Sequence, residues 1–120
     1  MLSLKKVLDK VLANLYIFEE KDGWICKKYA NGTYECWTKK TFSVTTSINY
    51  SDKGKYSTTH IYFPIVFSEP PVCLAYGERN NSGIPMIPGI KIFTDNVQMF
   101  IYDPHSYSGT ITANIHAIGK

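Results

Sequence analysis

Residues 24–37, Trp-Ile-Cys-Lys-Lys-Tyr-Ala-Asn-Gly-Thr-Tyr-Glu-Cys-Trp, constrain the fold of this chain more than any other stretch. Two aromatic-rich runs flank Asn31-Gly32, and both residues of that pair tolerate the positive φ of a tight hairpin turn. Two registers are open. A two-residue turn sets Cys26 opposite Trp37, whereas a type I turn with Gly32 as the bulge residue pairs Cys26 with Cys36 and Lys27 with Glu35. The second brings opposite charges face to face and is favoured.

The rest of the chain reads as more strands. With 120 residues it suits a single domain with its own core, and nine Tyr and six Phe among many Thr and Ser favour sheet over helix. Tyr16–Glu20 is a short strand, followed by the turn Lys21-Asp22-Gly23. The return strand of the hairpin continues through Thr41–Tyr50, where Phe42, Val44, Thr46 and Ile48 alternate with Ser43, Thr45 and Ser47. Ser51–Lys55 is a polar loop, and residues 59–67 form a strand in which Pro64 requires an edge or a bulge. Val72–Tyr76 is a strand, Glu78–Gly89 a Gly- and Pro-punctuated loop, and Lys91–Phe93 pairs with Val97–Tyr102 about Thr94-Asp95-Asn96. After a turn at Asp103–Gly109, the strand Thr110–Ile118 sets Ile111, Ala113, Ile115 and Ala117 on one face. Short strands at this spacing predict an all-β antiparallel sandwich.

A short α-helix precedes it. Ser3 can cap residues 3–15, and Leu4, Leu8, Val11 and Leu15 follow the 4-3-4 spacing of a coiled-coil seam. Residues 1–20 are therefore expected to serve as helix and connector for oligomerisation or attachment, and residues 21–120 as the sandwich. A helix this short needs its apolar face covered, either by its own domain or by copies of itself. Val97–Tyr102 raises the same question. Val97, Met99 and Ile101 face one way while Phe100 and Tyr102 face the other, so both faces are apolar. A neighbouring subunit or the N-terminal helix of the same chain would satisfy the second face.

Residues 24–37 also resemble the W-x-Y-[RK]-K-W-x-x-G-x-x-E-C-W hairpin of distal domains in tail-fibre and baseplate proteins of phages and prophages of Gram-positive bacteria. Trp24, Lys27, Lys28, Gly32, Glu35, Cys36 and Trp37 match, while Tyr29 and Cys26 replace the family's usual Trp and Tyr. Phe63-Pro-Ile-Val-Phe-Ser-Glu-Pro-Pro-Val72 resembles its F-P-x-x-F-x-x-x-P-x-V segment through Phe63, Pro64, Phe67 and Pro71. Ile115-His-Ala-Ile-Gly119 resembles its W-x-A-I-G finish, with the Trp replaced. The second segment is also similar to H-type lectins through Phe63, Phe67, Pro71 and Val72, with no sugar ligand carried over. The resemblance implies a homotrimer with the helices near the three-fold axis, other virion proteins as partners of the helix, and host cell-wall polysaccharide as a ligand. It implies a place in the virion, after synthesis in the host cytoplasm without a signal peptide. A purely structural decoration protein is the alternative, and a free lectin-like protein the third reading.

Chemistry other than binding finds little support. The net charge of +3 comes from residues 1–40, with eight Lys against five acids; residues 41–120 balance five against five, with Arg79 the one arginine. That pattern argues against nucleic acid as a partner. No apolar run approaches the roughly 18 residues of a membrane span. Three cysteines without C-x-x-C spacing suit buried thiols better than a metal site or disulfides, and the Asn-x-Ser/Thr sequons at Asn31, Asn49 and Asn80 read as chance. His60, His116 and Asp103-Pro104-His105 give no metal or catalytic pattern, and neither an enzyme nor a cofactor is expected. Saccharide recognition combines an aromatic face with convergent polar groups. Two segments carry that mixture, with Tyr76, Arg79, Asn80 and Asn81 in one and Asp103, His105 and Tyr107 in the other. Arg79 would supply a rigid donor fork.

Overall fold

The computed structural model describes residues 3–13, 15–49, 52–79, 86–103 and 107–120. Among the described residues one helix, α1 (Leu4–Ala13), precedes nine strands: β1 (Tyr16–Lys21), β2 (Trp24–Tyr29), β3 (Tyr34–Thr45), β4 (Ile48–Asn49), β5 (Lys55–Tyr62), β6 (Val72–Arg79), β7 (Met86–Ile92), β8 (Asn96–Asp103) and β9 (Ser108–Gly119). They form an all-β antiparallel sandwich of two sheets, ordered β1-β2-β3-β9-β6 and β4-β5-β8-β7. The molecule is elongated, 67 × 24 × 23 Å. Its spine is the twelve-residue pairing of β3 with β9.

Local chemistry explains the first elements. Ser3 caps α1, its Oγ accepting from Lys6 N–H at 3.2 Å. Asp22 and Gly23 both have positive φ, so β1 and β2 turn back tightly with Lys21 opposite Trp24. The next hairpin adopts the bulged register, with Cys26 paired to Cys36 and Lys27 to Glu35. Gly32 takes φ +89°, its N–H donates to Tyr29 O, and Asn31 Oδ1 accepts from Thr33 N–H.

The core lies between the sheets. Trp24, Cys36, Val97, Met99, Ile101, Ala113 and Ala117 are fully buried, and Ile111 and Ile115 nearly so. Trp24 meets Phe63 edge-on at 5.8 Å, and Phe63 meets Phe67 likewise at 5.4 Å. A Cβ on Gly119 would lie 3.2 Å from Phe67 Cδ1 and 3.3 Å from Pro71 Cα. The aromatic hairpin, the Phe-Pro segment and the C-terminal Ala-Ile-Gly thus converge on one cluster.

Several boundaries differ from the sequence reading. β5 stops at Tyr62 instead of running to residue 67. Pro64 cannot donate to a ladder, and Phe63 and Phe67 instead donate N–H bonds to Asp95 O and Thr94 O. The loop expected over residues 78–89 contains the end of β6 and the start of β7. Pro88 is tolerated there because β7 is an edge strand with a register shift between Met86 and Gly89. β3 ends at Thr45, and the chain crosses to the other sheet as β4. The short strand expected at Tyr16–Glu20 is present as β1, one residue longer, and pairs along the whole of β2.

Among the described residues, the helix does not dock on its own domain. Its described side chains are exposed, including Leu4, Leu8 and Val11 of the seam, and so is Leu15 beyond it. It therefore leaves the outward face of β8 uncovered. Phe100 and Tyr102 on that face are half-buried by their own sheet, and the Tyr102 hydroxyl donates to Lys53 O.

A candidate binding groove on the five-stranded sheet

Strand alternation builds a second surface, on the outer side of β1-β2-β3-β9-β6. In each strand the residues opposite the buried ones point outward and align in rows across the sheet. One row runs Glu20, Ile25, Trp37, His116, Leu74; a neighbouring row runs Lys39, Asn114, Tyr76. Together they line a groove of about 410 Å³ along β9 (Asn114, His116), with Trp37 and Lys39 on one wall, Ile25 of β2 extending that wall outward, and Leu74 and Tyr76 on the other. Leu74 and Tyr76 are 66% and 61% exposed, unusual values for large side chains in a regular strand.

The polar groups around the groove are fixed by neighbours. His116 Nε2 lies 3.2 Å from Glu35 Oε2, and the His116 ring meets Trp37 edge-on at 6.4 Å. Lys39 Nζ is 3.8 Å from Glu78. Lys27 Nζ sits over the rings of Tyr16, Phe18 and Trp37, at 4.7, 5.7 and 5.9 Å. In the floor, Asn114 Nδ2 is buried without a hydrogen-bond partner among the described residues.

The candidates named from sequence separate here. Tyr76 lines the groove. Tyr107 is a packing residue at 4% exposure: its hydroxyl donates to Thr110 O, and its backbone exchanges hydrogen bonds with Thr46. Asp103 is buried at the end of β8 and engaged within the protein. Neither offers a surface to a ligand. The Arg79 side chain, Asn80, Asn81 and His105 lie outside the described residues. Trp37, Lys39, Leu74, Asn114 and His116 escaped the sequence reading as site residues. Their alternation was visible in each strand, but their convergence depends on β3 and β6 both pairing with β9.

Among the described residues no group of three His, Cys, Asp or Glu side chains is placed to hold a metal. His60 and His116 stand on different sheets; His60 Nδ1 is 2.8 Å from Asn96 Oδ1 on the neighbouring strand of its own sheet. The three thiols are free and buried. Burial pushes all of them up from the ordinary value, Cys73 to about 11. No described helix is long and apolar enough to cross a membrane.

The fold has a counterpart among solved structures. The chain matches the N-truncated tail fibre of an R1-type pyocin with a TM-score of 0.63 and 10% sequence identity, over 100% of this chain and 98% of that one. At that identity the likeness is one of fold. No protein-family model and no curated protein matches the sequence.

Proposed function

We propose that this chain is a virion appendage module, a small tail-fibre, baseplate or head-fibre tip of a phage or prophage that attaches to the host surface through cell-wall carbohydrate. The observation carrying this reading is the full-length likeness in fold to a pyocin tail fibre. The hairpin and Phe-Pro resemblances to tail-fibre and baseplate domains of Gram-positive phages agree with it. So does the exposed seam of α1, which suits a homotrimer or attachment to another virion protein better than a free monomer. The mechanism is recognition without catalysis. Three weak sites on one head, and many heads per particle, would replace single-site affinity by avidity.

Cosedimentation of the purified protein with cell walls from a panel of candidate Gram-positive hosts tests the proposal. Saturable sedimentation with the walls of some hosts and not others is expected. A folded protein that stays in solution with every wall preparation would shift the assignment to a structural decoration protein. That second reading draws on the same exposed helix, which would then plug into a capsid or tail.

A further inference from the structure

We infer that the groove along β9 receives an uncharged saccharide segment, with Trp37 and Tyr76 as the platforms for its rings; this rests on the surface-recognition reading above. Width is the first argument. Trp37 on β3 and Tyr76 on β6 stand two strand spacings apart, so their backbones are separated by roughly 9–10 Å, with Ile25 on β2 lining the groove beyond Trp37. An α-helix with side chains is about 10–12 Å across and would ride above the floor. A single file of pyranose rings fits between the walls.

The lining carries the second argument. The C–H face of a sugar ring seeks a flat apolar surface, and Tyr76 presents one to solvent while the edge contact with His116 steadies Trp37. Between the walls, Asn114 Nδ2 has no hydrogen-bond partner among the described residues, and a shielded unpaired donor costs about 1–3 kcal/mol. Rotation of this half-buried side chain turns the donor toward the groove, where a sugar hydroxyl would accept from it.

Charge gives the third argument and the chemical class. Lys39 is paired with Glu78, Glu35 with His116, and Lys27 is held over three rings. The two ammonium groups, Lys27 and Lys39, are thus matched by two carboxylates, Glu35 and Glu78, and no net positive charge favours an anionic polymer over a neutral chain.

The test is calorimetric titration of the full chain with soluble wall polysaccharide from the same panel of hosts, intact and after hydrofluoric acid has cleaved its phosphodiesters. Equal affinity for the two forms is expected. Tyr76→Ala should weaken binding about tenfold and Asn114→Leu measurably, with mass and melting temperature unchanged. Loss of binding on phosphate removal would overturn the inference in favour of an anionic ligand. Wild-type affinity in both variants would move the site elsewhere and leave the surface-recognition reading standing. A drop in oligomer mass in Tyr76→Ala would make the groove a subunit contact. Failure of every polysaccharide to bind would remove this inference and the proposed function together.

Discussion

Gly32 and Gly119 hold the fold in different ways, and their substitutions should fail for different reasons. Gly32 sits at φ +89° with open space where a Cβ would go, so Gly32→Ala pays only for the left-handed backbone, about 1 kcal/mol. Gly32→Asn should recover part of that loss, because Asn visits this region more readily. Gly119 has ordinary φ but no room, since a Cβ would press on the Pro71 backbone. Gly119→Ala should cost about 1–3 kcal/mol, with Asn unable to rescue it. Chemical denaturation of the three variants checks both statements. The thiols make a pH prediction. Cys73 keeps its proton in the fold up to about pH 11, while in the unfolded chain it releases it near 9.0. In that window the unfolded state binds fewer protons, so stability is full below pH 9 and falls as pH rises toward 11. Melting curves from pH 8 to 11 should show a shallower decline in Cys73→Ala than in the wild type. Aspartate at Cys26 or Cys36 would bury a charge and should abolish folding.

At the scale of elements, what the sequence disclosed follows the range of the interaction. The Asn31-Gly32 hairpin, its register, the Ser3 cap and the inward face of β9 each depend on neighbours a few residues away, and each was readable. The first part of β7 was hidden because Pro88 and Gly89 signal a loop anywhere but on an irregular edge strand, whereas its end, Lys91 and Ile92, pairs with β8 as the sequence suggests. The groove was hidden more deeply, because Trp37, Tyr76 and Asn114 meet only through pairings between distant strands. Tyr107 misled for a related reason. An aromatic in a polar turn reads as a ligand platform, yet this one plugs the core. The clearest element-level prediction concerns α1, whose seam faces solvent while the sandwich has its own core. Leu8→Asp with Leu15→Asp should reduce the mass in light scattering to that of one chain and leave the melting of the β domain unchanged. A lowered melting temperature at unchanged mass would mean that the helix serves its own domain.

For the whole molecule, the exposed apolar residues are unevenly spread. Leu4, Leu8, Val11 and Leu15 gather along the helix and the residue beyond it, and Tyr16, Phe18, Ile25, Val72, Leu74 and Tyr76 on the outer face of the five-stranded sheet. The outward side of β8, once a candidate contact through Phe100 and Tyr102, has no comparable exposure. In the proposed account these two regions divide the work, the helix joining copies and the sheet meeting the host. Multivalent attachment then makes affinity for a cell depend on assembly as well as on the groove. The most direct measurement is binding of the fluorescently labelled protein to intact cells of the candidate hosts, with Leu8→Asp/Leu15→Asp and Tyr76→Ala variants alongside. Saturable binding by the wild type is expected, about a hundredfold weaker for the dissociated helix variant and weakened about tenfold at each site in Tyr76→Ala. A folded, oligomeric wild type that binds no host cell would contradict this account.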